Sequence, residues 1–281
     1  VKIGRTHLMD ATPLTLGQEF SGYASQIKHG LKSLQNSLDH LSELAIGGTA
    51  VGTGLNCPDD FDKLTVKNIS KDCNINFKVA ENKFEAIASH DAIVETHSSI
   101  KQLAISIYKI ANDIRLLGSG PRAGFSELIL PANEPGSSIM PGKINPTQCE
   151  AICMVCAQII GNDHTISFAG TQGHLELNVY KPLMASKIIE SLKLLTDSVI
   201  SFEKNCIRGL KANKKIIKEH LNNSLMLVTA LNNKIGYYKS AEIANNAYKN
   251  GTTLKEEAIK SKYLTSDEFD QWIDTKKMIG K

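Results

Sequence analysis

Residues 13–45 read PLTLGQEFSGYASQIKHGLKSLQNSLDHLSELA, and the placing of their apolar side chains decides the fold. Leu16, Phe20, Tyr23, Ile27, Leu31, Leu34, Leu38, Leu41 and Ala45 recur at steps of three and four, which is one unbroken stripe along a helix. Pro13 suits a first helical turn, where a missing N–H costs nothing. The glycine-rich stretch Gly47–Gly54 then stops the pattern. It lacks the Gly-Lys-Ser/Thr ending of a phosphate loop and no strand precedes it, so it reads as a tight connection between helices.

Three more long helices follow. One is expected from about Glu81 to Leu117, with Ile93, Ile100, Leu103, Ile107, Ile110, Ile114 and Leu117 on one face. Another, from about Thr147 to Phe168, is apolar nearly all round and therefore belongs inside a bundle. The last begins after Pro182 and carries Met184, Ile188, Leu192, Leu195, Val199, Phe202, Cys206 and Leu210. Beyond Ala212 the helices become short and polar. Thr253-Leu254-Lys255-Glu256 and Thr265-Ser266-Asp267-Glu268 both read as capping boxes. No run of alternating strands is evident. The expectation is an all-α protein: a long antiparallel helix bundle over residues 1–212 and a small C-terminal helical domain over residues 213–281.

With 42% hydrophobic and 22% charged residues among 281, the composition is that of an ordinary globular protein. A net charge of +3 with no basic arm gives no reason to expect nucleic acid or an anionic membrane as partner. No apolar run approaches the roughly 20 residues that span a bilayer. Three of the six cysteines, Cys149, Cys153 and Cys156, crowd into the apolar third helix. Their spacing can hold an iron–sulfur cluster, but thiolate ligands usually converge from an irregular loop, so core packing in a reducing compartment is the reading preferred. The histidines form no pair at metal-ligand spacing with a plausible third ligand, so no metal or other cofactor is expected.

The chemistry-bearing stretch is Gly136-Ser137-Ser138-Ile139-Met140-Pro141-Gly142-Lys143-Ile144-Asn145-Pro146. Two hydroxyls, a cation and an amide lie among turn-forming residues between two long helices, where binding groups tend to be placed. This string resembles the GSSxMPxKxN signature of the fumarase/aspartase superfamily and matches it at every fixed position. Gly4-Arg5-Thr6-His7-Leu8-Met9-Asp10-Ala11-Thr12-Pro13 is similar to a second signature, that of class II fumarases. Leu16–Tyr23, Asn145–Glu150 and Glu176–Val179 extend the likeness over essentially the whole chain.

The resemblance implies reversible hydration of fumarate to malate. Ser137 would be the base, Lys143 would face a substrate carboxylate, and Ser138 and Asn145 would add hydrogen bonds to the dianion. His7 would handle water or hydroxide on the opposite face, paired with Glu150, and Thr6 would contact substrate. It also implies a homotetramer whose active sites are shared between subunits, acting on a small dicarboxylate in the cytoplasm or the mitochondrial matrix. Histidine at position 7 favours water over ammonia, because aspartases carry glutamine there. The alternatives are a sister lyase of the aspartase or argininosuccinate/adenylosuccinate type, or an inactive structural fragment. His174, Asn233 and Tyr238 depart from the common class II pattern without touching the proposed set. Because Val1 is not Met and a motif opens at Gly4, an N-terminal portion with further substrate contacts is expected upstream, and this chain alone is expected to show little or no turnover.

Overall fold

The computed structural model describes residues 1–280. In chain order the elements are β1 (Lys2–Thr6), β2 (Met9–Leu14), α1 (Leu16–Leu41), β3 (Glu43–Leu44), α2 (Phe61–Cys73), β4 (Lys78–Val79), α3 (Lys83–Ala88) and α4 (Asp91–Leu117). There follow β5 (Leu128–Ile129), α5 (Thr147–Gly170), α6 (Lys181–Asn205), β6 (Lys211–Ala212), α7 (Lys214–Asn223), α8 (Asn232–Ile235), α9 (Tyr237–Asn250), α10 (Leu254–Lys260) and α11 (Ser266–Trp272). Short 3-10 turns lie at Ile207–Gly209 and Leu225–Leu231. Helices dominate, as the apolar stripes require. No helix among the described residues is long and apolar enough to cross a membrane.

Three details differ from the expectation. Residues 2–14 form an antiparallel hairpin, so Pro13 sits in β2 opposite Ile3 and α1 begins only at Leu16. A two-stranded ribbon is all edge, and proline is tolerated on an edge strand. The helix expected from residue 81 is broken at Ser89, whose extended backbone ends α3 and whose Oγ accepts from Asp91 N–H at 3.3 Å as α4 starts. Helix α2 has no stripe to betray it, since Val66 is its one buried residue.

The chain divides into two compact units. One holds residues 1–22, 116–129 and those from 211 on; the other holds residues 23–115 and 130–210. The expected division was a single cut near residue 212, whereas the C-terminal helices share their unit with the N-terminal hairpin. In that unit Ile3 of β1 is buried with Leu221, Leu227, Val228, Leu231, Ile243, Ala247, Leu254 and Phe269. Both capping boxes form: Thr253 and Thr265 exchange backbone and side-chain hydrogen bonds with Glu256 and Glu268.

The second unit is the long-helix body. Ile100, Ala104, Ala111 and Ile114 of α4, Ile152, Ile159 and Ile166 of α5, and Met184 of α6 are buried. Gly30 of α1 lies so near α4 that an added Cβ would stand 2.8 Å from Leu103 Cδ1. Inside this body is a polar chain that crosses three helices. His97 of α4, fully buried, places Nδ1 3.1 Å from Asp163 Oδ1 of α5 and Nε2 2.9 Å from Ser191 Oγ of α6. Asn162 Nδ2 donates to Ser191 Oγ at 3.1 Å, Gln158 Nε2 donates to Asn162 Oδ1 at 3.0 Å, and the Lys101 ammonium caps the other oxygen of Asp163.

Candidate active site

The sequence-predicted residues occupy two places, a loop in the long-helix unit and the hairpin tip in the other unit. The loop is closed on itself. Gly136 N–H donates to Lys143 O at 2.8 Å, Asn145 Nδ2 donates to Gly136 O at 2.7 Å, and Lys143 N–H donates to Met140 O at 3.3 Å. Two glycines make this possible. Gly142 has φ +78°, a conformation that glycine adopts without penalty. At Gly136 an added Cβ would stand 2.6 Å from Lys143 O, closer than real Cβ atoms come.

Inside this clasp the Ser137 oxygen receives two backbone donors, Ile139 N–H at 3.2 Å and Met140 N–H at 3.0 Å. Converging amide dipoles favour negative charge on the atom they surround. Ser138 and Lys143 are exposed, and Lys143 makes no ion pair among the described residues. Asn145 is half-buried and spends one amide hydrogen on the clasp. The loop therefore presents a hydroxyl, a cation and an amide within ten residues of backbone.

Glu150 stands in the first turn of α5, with Arg115 Nη1 4.0 Å from its Oε1. The residues around it on α5 include the three clustered cysteines, all buried. Burial pushes the Cys156 thiol up to about 12 and raises Cys153 as well, so these thiols are poor nucleophiles. Cys149 Sγ lies 3.9 Å from Cys206 Sγ.

Thr6 ends β1, and His7 and Leu8 are the two residues of the hairpin turn between the paired Thr6 and Met9. Both have positive φ, 55° and 61°, the backbone of a type I′ turn, although neither is glycine or asparagine. Holding two such residues left-handed costs about 1–3 kcal/mol each, a strain that clusters at functional positions. Both side chains are exposed at the tip.

Sequence reasoning missed what anchors this hairpin. Glu127 is 0% exposed, and its Oε1 accepts from Arg5 Nη2 at 2.7 Å and lies 3.1 Å from His220 Nδ1. Lys2 Nζ sits 3.2 Å from its Oε2 and 2.9 Å from Glu19 Oε2. Burial pushes the Glu127 carboxyl up, but the Arg5 and His220 hydrogen bonds and the Lys2 and Arg5 charges outweigh it and hold the group below the usual range. No local pattern signals contacts that span so much sequence.

Gly136→Ala is expected to open the clasp, because the new Cβ displaces the Lys143 carbonyl. Cleavage after the exposed Lys143 by a lysine-specific protease should rise several-fold, with global stability altered by less than about 1 kcal/mol. Cleavage at the wild-type rate would show that the clasp does not hold the loop.

Comparison with known proteins follows the same residues. A family model described as "Lyase" matches residues 1–161, and one described as "Fumarase C C-terminus" matches residues 227–280. Fumarate hydratase class II of Pasteurella multocida is 62% identical over 280 residues, covering 100% of this chain and 60% of that protein. The mitochondrial fumarate hydratase of Saccharomyces cerevisiae is 57% identical, covering 100% of this chain and 57% of that protein. The crystal structure of class II fumarase from Schistosoma mansoni superposes with a TM-score of 0.96 at 45% identity, over 99% of this chain and 61% of that one. The chain thus spans about 60% of the length of the curated relatives it matches. One family model takes in more than half of the chain and the relatives align along its whole length; the chain belongs to the lyase family, and its likeness there is to the class II fumarate hydratases.

Proposed function

We propose that the protein interconverts fumarate and malate by adding or removing water. The observation that carries this reading is the pair of backbone N–H groups on Ser137 Oγ. Removing a proton from carbon beside a carboxylate needs a strong base, and a serine hydroxyl is far too weak unless its oxyanion is stabilised. Two amide dipoles are that kind of stabilisation, and the Lys143 cation carried on the same loop would add to it. The same two contacts would serve an ordinary serine turn. The unpaired cation and the amide on the same loop favour a dianionic substrate instead.

In this mechanism Ser137 takes the proton from carbon, and the extra charge spreads into the adjacent carboxylate. Lys143, Ser138 and Asn145 bind the dianion, and Thr6 contributes a further hydroxyl. His7 delivers or accepts the proton of the departing oxygen, with Glu150 as its carboxylate partner. We place the enzyme as a homotetramer with sites shared between subunits. The exposed Met154, Ile160 and Phe168 on α5 support association. Free buried thiols fit a reducing compartment, the cytoplasm or the mitochondrial matrix.

The test is turnover by the full-length protein. Fumarate should be consumed with malate as product, and aspartate should release no ammonia. Ammonia release without hydration would reassign the chain to a sister lyase, and inactivity toward both would leave a structural role.

A further inference from the structure

We infer that Glu127 is a positioning residue: through Arg5 and Lys2 it holds the β1–β2 hairpin in the one setting that presents His7. The inference deepens the hydratase reading and rests on it for the role of His7.

The geometry is specific. Strict strand alternation would send Lys2 and Arg5 to opposite faces of β1, since they are three residues apart. The pairing register shifts between Ile3 and Arg5, and a bulge of this kind re-aims side chains. Both cations thereby reach one carboxylate, the guanidinium on Oε1 and the ammonium at Oε2. Gly4, between them, leaves no space for a side chain, because an added Cβ would be 2.6 Å from Thr12 O. The backbone that carries the carboxylate is held in place. The Glu127 carbonyl accepts from Asn213 N–H at 2.9 Å, the residue that caps α7, and β5 just beyond it pairs with β6. Phe125 lies under the Arg5 guanidinium at 4.4 Å and fixes its plane. His220 of α7 closes the fourth side.

The tip has little of its own to hold it. Thr6, His7, Leu8 and Met9 are exposed, and the turn is made by two residues that disfavour left-handed backbone. A strained turn on a two-stranded ribbon keeps one conformation only when its base is over-determined. Lys2 and Arg5 form that base, and Glu127 is the charge common to both.

Glu127→Gln in the full-length protein removes the charge and keeps the shape, and two measurements read the result, with a second variant beside it. Amide hydrogen exchange over residues 2–14 should speed up at least tenfold while exchange in α9 and α10 of the same unit stays unchanged. Turnover of fumarate should fall about tenfold or more in kcat with KM within twofold, because His7 is mis-set while Ser137 and Lys143 are untouched. His220→Gln, which removes one exposed-side arm of the cluster, should do the same to a smaller degree and remains informative if Glu127→Gln does not fold. Unchanged exchange in the hairpin overturns the inference. So does faster exchange with full kcat, provided His7→Asn abolishes turnover. If His7→Asn itself leaves turnover intact, the role of His7 falls while hydration stands. If the unsubstituted protein hydrates no fumarate, the hydratase reading falls. In either case selective loosening of the hairpin still supports the tie.

Discussion

Ser137→Ala in the full-length protein is expected to lower kcat for fumarate hydration by between about 100- and 10,000-fold, the usual worth of a positioned general base. The oxygen is the group on which both backbone donors converge, at 3.2 and 3.0 Å from Ile139 and Met140. Alanine removes the oxygen and leaves the dipoles. The freed N–H groups belong to exposed residues, so water replaces the lost acceptor and stability changes little. KM should move far less than kcat, because Lys143 and Asn145, the carboxylate-binding groups proposed above, are untouched. Exchange of the malate carbon-bound proton with deuterated solvent should be lost in parallel, which separates a lost base from a lost acid. Ser138→Ala, whose hydroxyl is offered only as a binding group, should cost much less. Retention of kcat within about threefold by Ser137→Ala would remove Ser137 as the base.

The loop and the long helices were readable in the sequence because their causes are local. The stripe from Leu16 to Leu41 and the all-round apolar run from Ala151 to Ile160 are periodicities, and they became α1 and α5. The two capping boxes are four-residue patterns, and both formed. The site string located Ser137, Lys143 and Asn145 together. It could not say that a left-handed Gly142 and a side-chain-free Gly136 fold that string back until two amides face Ser137. The hairpin escaped for a different reason. A type I′ turn usually announces itself with Asn-Gly, and here His7-Leu8 adopts it against preference. Glu127 escaped because its partners Lys2, Arg5 and His220 are each about a hundred residues away along the chain, at separations such as 122 and 93. Charged residues read as solvated until tertiary structure buries them together.

Asp163→Ala is expected to produce the largest loss of stability, about 2–4 kcal/mol, from leaving a buried imidazole N–H unsatisfied and opening a cavity. The Asp163 carboxylate is the sole full negative charge in the chain of contacts that joins α4, α5 and α6. Because a carboxylate only accepts, His97 Nδ1 must carry the hydrogen toward Asp163. The Ser191 oxygen receives from Asn162, so its own proton is free to go to His97 Nε2. The direction of every bond therefore descends from Asp163. Alanine strands the buried His97 N–H with no acceptor, while the Lys101 ammonium, one-third exposed, turns to water. A cavity adds to the loss. Asp163→Asn keeps an acceptor for Nδ1 while discarding the charge, so it should cost roughly half as much or less, about 1–2 kcal/mol. Urea denaturation followed by far-UV circular dichroism reads both values. A loss below about 1 kcal/mol for the alanine variant would mean that the apolar faces of α4, α5 and α6 set their own register without this polar chain.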